Sequence, residues 1–391
     1  ISNLTDFEFV VVSIVSNPHV ELRYPIPPHV KRVITVPLWG SDRPEEYDSR
    51  TLLSVISRSR KTSEEVIESK FIPPFRVFLE ECISGGENPE RLGAALSRMH
   101  QFFDRYDYRT TMRSRAVWDN CLEIMQQNPV MSRMKSDSFV NICRSMDRYL
   151  RILSLPIPEA DLSHCAIAGV VGIMGVLAKI QNGVPFILTE HGVWYRERLL
   201  NMIDLPLDRD LPAKIFWNNF FRALVRVNYY YADALYPVCS FNVRWEDEVG
   251  GNHIPTKVIY NGVDTDRFRP MDVPRQGDTP TVVSVIRLDR FKDPLNLIMA
   301  MRYVVKKIPS VACLIWGPSP DEDYARFCVK TVEEYNLQNY VHFMGFTKEP
   351  EKAYNMGDVV VMPSLTEGFP FALIEAMACG TPVVTTDSLG V

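Results

Sequence analysis

The chain has 391 residues, 46% hydrophobic and 23% charged, with a formal net charge of −5. That length favours two domains over one and allows a substantial core in each. The acidic balance argues against a general nucleic-acid binder, which presents a basic patch or stripe, so no nucleic acid is expected as a partner. Eight cysteines are scattered without a CxxC pair. Reduced thiols in a cytoplasmic protein are therefore expected, with neither a disulfide scaffold nor a zinc site. No secretory signal is recognisable at the start. The most membrane-like run, Leu162 to Ala178, contains His164 and three glycines and is shorter than a typical span. It reads as a buried helix.

The first residue is Ile1, and the chain runs at once into a strand-like "FEFVVVSIV"; the end, "TTDSLGV", stops just past another strand. Both ends look cut, so a fragment is expected. Strand candidates in the first two thirds are 7–15, 32–37, "HCAIA" (164–168), "VPFILTE" (184–190), "ALYPVC" (234–239) and "KVIY" (257–260). Between about 41 and 153 the pattern is helical. "NPERLGAALSRMHQFFDRY" opens with an Asn88 cap and Pro89, and Leu92, Leu96, Met99 and Phe103 recur on one face. Two more helices are expected near 113–127 and 136–153. This block reads as a helical insertion in an α/β domain. Gly169, Gly172 and Gly175 would let the following helix pack close to its sheet.

A Pro-, Asp- and Arg-rich linker is expected at 263–280, dividing a domain of residues 1–270 from one of 271–391. The second domain has the clearest rhythm. Strands are predicted at 281–286, 311–316, 340–345, 358–363 and 382–386. Helices are predicted at 293–307, 321–336, 350–356 and 370–378, the first with Asp293 as N-cap and Pro294 behind it. Near-continuous apolar strands alternating with helices imply a parallel sheet covered on both faces. Such sheets bind ligands beyond the carboxyl ends of their strands.

"SLTEGFPFALIEAMACGTPVV" (364–384) places Glu367 in one of those carboxyl-end loops and Glu375 within the next helix, with Gly368 and Pro370 between. The start of that helix offers free N–H groups to an anion. A carboxylate suits paired hydroxyls instead, each such hydrogen bond contributing roughly 1.5–3 kcal/mol. Together they suggest a ligand carrying both phosphate and sugar hydroxyls. "RLDRFKD", after strand 281–286, supplies Arg287 and Lys292 for a diphosphate at the same end of the sheet. The spacing of the glutamates means little alone: Glu367 could simply complement a helix N-terminus, and Glu375 could be a solvated helix residue. The shared loop context favours a site.

"RLDRFKD", "EGFPFALIEAMACGTPVV" and the upstream "YNGVDTDRF" resemble the retaining glycosyltransferases of family 4, and "LTEHGVWYRER" (188–198) resembles their PelF-like branch, associated with Pel exopolysaccharide synthesis. The resemblance is strong from about 184 onward and weaker before. It implies the GT-B fold, an α/β architecture of two Rossmann-like domains facing across a cleft. The implied activity is transfer of a hexosyl group, with retention, from a nucleotide-diphosphate sugar such as UDP-glucose to a glycan acceptor. A membrane polysaccharide-synthesis complex is a further implied partner. By the resemblance Glu375 binds the nucleotide ribose, Glu367 lies by the transferred sugar, and backbone groups of Gly368, Phe369, Pro370 and Phe371 meet the donor. Arg287 and Lys292 match the diphosphate pair, and His191 matches a histidine facing the donor sugar. Judged unaided, His191 and His164 are strand-end histidines that also suit structural roles. Trp194 and Tyr195 could stack on sugar or pack, and Arg196 and Arg198 could bind an anionic acceptor or pair with Glu190 and Glu197.

No DxD-like motif stands in a metal-binding context, since "DED" (321–323) opens a helix. Neither an essential metal nor a cofactor is expected. The rival functions are a non-catalytic nucleotide-sugar-binding subunit, and an NAD-dependent Rossmann enzyme, which the missing GxGxxG disfavours.

Overall fold

The computed structural model describes residues 4–19, 25–40, 52–203, 210–274 and 277–388. The expected start of the helical block (41–51), part of the expected linker (275–276) and the last three residues lie outside the described residues. The chain forms two compact units, one of residues 1–236 and 244–257, the other of 237–243 and 258–391. The division after Lys257 lies earlier than the expected boundary at 270/271. Residues 258–270 belong to the second unit, where Phe268 packs into a core with Tyr354 and Ala376.

In the first unit, β1 (Phe9–Val15) and β2 (Val30–Pro37) pair in parallel, and β3 (Ser163–Cys165), β4 (Phe186–Glu190) and β5 (Ala234–Pro237) form a second sheet in that order. Between β2 and β3 stand α1 (Leu52–Lys61), α2 (Glu64–Val66), α3 (Ile72–Ser84), α4 (Pro89–Phe103), α5 (Tyr108–Met112), α6 (Arg115–Gln127) and α7 (Ser136–Leu150). This is the expected helical block. Asn88 caps α4, accepting from the Arg91 N–H at 2.9 Å, and Leu92, Leu96, Met99 and Phe103 are all buried. The remaining helices of this part are α8 (Ile173–Asn182), α9 (Trp194–Ile203), α10 (Leu211–Tyr231) and α11 (Ser240–Val249).

One continuous core joins the helical block to the strands, with Phe71, Phe75, Phe78, Phe103, Phe186, Phe216 and Phe220 fully buried. Each such side chain contributes on the order of 2–3 kcal/mol by leaving water. The buried Arg151 guanidinium donates to the Pro37 carbonyl at 3.1 Å, tying the end of β2 to the helices.

Two expectations are corrected. The run 162–178 is not one helix: it divides into β3, a glycine-rich turn and the first half of α8. Residues 257–260 are not a strand, because only Thr256 forms a bridge, to Leu235. They run extended instead, with the Lys257 and Ile259 N–H groups donating to the Leu235 and Pro237 carbonyls. Of the three glycines, Gly175 performs the expected close packing on the sheet: a Cβ there would lie 2.3 Å from the Phe186 ring. Gly172 makes room for Asn228 of α10, and Gly169 for the Trp194 indole.

The second unit follows its predicted rhythm. Its strands are β6 (Thr281–Val285), β7 (Ala312–Trp316), β8 (Val341–Gly345), β9 (Val359–Met362) and β10 (Val383–Thr385). The connecting helices are α12 (Pro294–Lys307), α13 (Glu322–Glu334), α14 (Pro350–Met356) and α15 (Phe371–Ala378). Asp293 caps α12 and Asp321 caps α13 through their side chains, with Glu322 and Asp323 in the first turn of α13. The strand order is β10-β9-β6-β7-β8, and every pair is parallel. The chain leaves β6 toward β7 and β8, then returns to β9 on the other flank. The topological switch point therefore lies between β6 and β9, and sheets of this kind bind ligands beyond the carboxyl ends of the strands at such a point.

Candidate functional site

The loops after β6 and β9 meet at that switch point. Gly317, at the end of β7, makes the approach possible. Its φ is +148°, and a Cβ there would sit 1.8 Å from the Ile286 carbonyl oxygen, so only glycine fits. The loop after β6 then runs along the loop after β7, with the Ile286 and Leu288 N–H groups donating to the Trp316 and Pro318 carbonyls.

Asp289 organises the predicted basic pair. Its Oδ1 accepts from the backbone N–H groups of Phe291 (3.1 Å) and Lys292 (3.0 Å), while its Oδ2 pairs with Arg287 Nε at 2.9 Å. Sequence reading did not single it out, although an Asp inside "RLDRFKD" is a ready turn former. The Arg287 side chain remains 57% exposed, so its guanidinium can reach a ligand.

Lys292 and Glu367 are brought into direct contact, Nζ to Oε1, at 2.6 Å. The Glu367 side chain is only 7% exposed and that of Lys292 24%. The Leu365 N–H donates to the Phe291 carbonyl at 2.8 Å beside this pair, zipping the two loops together. The hydroxyls of Ser364 and Thr366, beside Glu367 in sequence, and of Ser388, whose carbonyl accepts from the Glu367 N–H, are buried without a hydrogen-bond partner among the described residues. These hydroxyls escaped sequence reading, because Ser and Thr in a loop carry no spacing signal.

Gly368, Phe369, Pro370 and Phe371 form the entry to α15. Asn261 Nδ2 donates to the Phe369 carbonyl at 2.9 Å, and the Tyr260 and Phe369 rings lie 5.2 Å apart. No side chain caps α15, which leaves its positive end available to an anion. Glu375 lies one turn in, half-buried. Its Oε2 accepts from the Tyr354 hydroxyl at 2.8 Å. Burial pushes its carboxyl up, partly offset by Tyr354 and the Arg267 guanidinium. Among the described residues no hydrogen bond links Glu375 to Arg287, Lys292 or Glu367.

In the first unit, exposed His191 directly follows β4. His164, in the neighbouring strand, contacts Thr189 Oγ1 at 2.8 Å, and burial and then the His191 charge hold its imidazole below the usual range. Glu190 is fully buried, accepts from the Ala168 N–H (2.9 Å) and the Tyr229 hydroxyl (3.3 Å), and is pushed well up by burial. Glu246 is 1% exposed with neither carboxyl oxygen hydrogen-bonded among the described residues, and burial and Asp247 push it up to about 8. Trp194 packs against Phe221 and Gly169, and the half-buried Tyr195 donates to Asn218 Oδ1 at 3.0 Å. Trp194, 8% exposed, serves packing. Arg196 stands over the Trp245 ring at 5.9 Å and Arg198 over Trp194 at 5.3 Å.

Among the described residues no three His, Cys, Asp or Glu side chains are grouped to hold a metal, and no helix is long and apolar enough to cross a membrane. All eight cysteines are free thiols.

The parallel sheet of the second unit, wound in both directions from β6 with polar loops gathered at its switch point, defines an α/β fold. The chain belongs to the family described as "Domain of unknown function (DUF3492)", matched over residues 1–253, and its residues 267–391 match "Glycosyl transferases group 1". An uncharacterized glycosyltransferase of Methanocaldococcus jannaschii is 23% identical over 246 residues, covering 60% of this chain and 55% of that protein. A GDP-mannose-dependent phosphatidylinositol monomannoside mannosyltransferase of Mycobacterium tuberculosis is 32% identical over 146 residues, covering 33% of this chain and 37% of that protein. The Anabaena protein HepE, solved with UDP-glucose, is 21% identical with a TM-score of 0.48, over 59% of this chain and 60% of that one. The chain spans about half or less of the length of the curated relatives it matches first.

Proposed function

We propose that the protein is a retaining glycosyltransferase that moves a hexosyl group from a nucleotide-diphosphate sugar, UDP-glucose, to a glycan acceptor. The reading places it in a PelF-like branch serving exopolysaccharide synthesis on the cytoplasmic side of a membrane complex. The observation that carries it is the Lys292–Glu367 contact between the loops after β6 and β9. It puts a cation and a buried acid side by side at the switch point, with Arg287 on the same loop and an uncapped helix start directly after Glu367.

The chemistry follows from charge. The bond from the anomeric carbon to the diphosphate oxygen breaks, the acceptor oxygen bonds to that carbon, and the acceptor hydroxyl's proton passes to the departing diphosphate. Positive charge develops on the sugar and negative charge on the departing diphosphate. Groups fixed in advance toward that charge lower the barrier. Lys292, Arg287 and the backbone of Gly368 to Phe371 receive the diphosphate, and Glu367 lies beside the sugar. Glu375 accepts from ribose hydroxyls, and His191 is assigned to the transferred sugar. The relatives named above support a nucleotide-sugar donor; the choice of UDP and glucose rests on the sequence resemblance.

The test is a donor screen with UDP- and GDP-sugars, following nucleotide release. Release of UDP from UDP-glucose, lost in a Lys292→Met variant, supports the reading. Saturable UDP binding with no release from any donor favours the non-catalytic subunit, and no binding of either nucleotide refutes both.

A further inference from the structure

We propose that Tyr354 is a positioning residue for Glu375, and that through this contact it decides how selectively the site grips a ribose hydroxyl. The proposal rests on the donor-site reading given above. Tyr354 lies in α14, is 1% exposed, and packs its ring 6.2 Å from that of Phe268. Its hydroxyl has one proton, and that proton goes to Glu375 Oε2 at 2.8 Å. Burial and the Glu375 charge push the phenol far up, so it stays a donor at any working pH. The backbone around it is held as well: the Thr381 hydroxyl donates to the Tyr354 carbonyl at 3.0 Å, and the Cys379 thiol contacts the Glu351 carbonyl. Both the carboxylate of α15 and the segment that follows the helix are thus fixed to α14.

The consequence is an asymmetric carboxylate. Oε2 has spent one acceptor site on Tyr354, and Oε1 accepts no hydrogen bond among the described residues. A terminal carboxylate torsion is broad and otherwise costs little to turn. With Tyr354 in place, Oε1 points in one direction and prefers a hydroxyl at one position of a vicinal pair. Without it the carboxylate turns, and either hydroxyl serves.

The experiment is calorimetric titration of UDP, 2′-deoxy-UDP and 3′-deoxy-UDP into the wild type and into Tyr354→Phe, Glu375→Asp and Glu375→Ala. In the wild type, one deoxy analogue binds at least about tenfold more weakly than UDP, the loss expected for a hydrogen bond to a charged group. In Tyr354→Phe, UDP still binds through its diphosphate, about three- to tenfold more weakly, and the preference between the two deoxy analogues collapses. Glu375→Asp draws the carboxylate away from Tyr354 and is expected to lose the same preference, which covers the case in which Tyr354→Phe does not fold. A folded Tyr354→Phe, or Glu375→Asp, with the wild-type preference intact overturns the proposal and leaves Tyr354 a packing residue. Glu375→Ala with unchanged UDP affinity overturns instead the ribose assignment on which the proposal stands.

Discussion

Removing Lys292 separates the binding duty of this side chain from its structural one. From sequence it reads only as a phosphate ligand, but its Nζ lies 2.6 Å from the Oε1 of a Glu367 that is 7% exposed. Lys292→Ala leaves that carboxylate buried without its cation. Breaking a fully buried pair costs about 3–5 kcal/mol. Lys292 is 24% exposed, so solvent reaches one side of the contact and the expected loss falls to about 2–3 kcal/mol. Glu367→Gln alone is expected to cost about 1–2 kcal/mol, because the ammonium keeps partial access to water. Lys292→Met, with the same expected loss as Lys292→Ala, is the lysine single variant that closes the cycle, and the double variant Lys292→Met, Glu367→Gln removes both charges and should return to within about 1 kcal/mol of the wild type. The assay is urea unfolding with hydrogen exchange read on peptides spanning residues 281–316, which report the second unit. Non-additivity of at least about 2 kcal/mol between the two sites is the predicted result. Strict additivity, or a Lys292→Ala variant as stable as the wild type, would refute the coupling. The stable double variant should nevertheless release no nucleotide from a donor sugar.

Three other perturbations follow from the same structure. Glu375→Ala should weaken UDP binding by about tenfold or more in calorimetry, and an unchanged affinity removes the ribose role. For Glu246 the folded state binds a proton that the unfolded state has released between pH 4.5 and about 8, so its contribution to stability falls as pH rises through that window and levels off above it. Glu246→Gln should therefore show a shallower decline and, above pH 8, a gain on the order of 5 kcal/mol, checked by urea melts at pH 6 and pH 8.5; parallel curves for both proteins contradict this. Gly175→Ala forces a methyl to within 2.3 Å of the Phe186 ring and should cost about 1–3 kcal/mol, read as a lower melting temperature.

What the sequence made legible depended on periodicity and punctuation. The second unit alternates short apolar strands with capped helices, so its elements fall within a residue or two of the expected bounds, and Asp293 caps its helix as expected, whereas the Asp321 cap on α13 was not foreseen. The helix α10 was not legible because Phe216, Phe220, Phe221, Leu224, Val225 and Val227 leave it no regular polar face. The helix α3 was not placed individually within the helical block; Pro73 and Pro74 occupy its first turn, where no N–H is needed. The run 162–178 was misjudged because a buried strand and a buried helix are equally apolar, and length alone did not divide them. At the site, Lys292 and Glu367 were chosen for a ligand and lie against each other. Asp289 and Tyr354, which hold the chosen residues in place, were not found. Their importance comes from contacts to residues distant in the chain or from backbone geometry, neither of which has a sequence period.

The central claim is that the second unit holds a nucleotide diphosphate between its basic loop and the start of α15. Calorimetric titration of UDP into this protein, beside the Lys292→Met, Glu367→Gln double variant that retains its fold, measures it most directly. The account predicts saturable binding to the wild type at one site and a loss of at least about tenfold in the variant. No binding to the wild type, or equal affinity in both proteins, would contradict it.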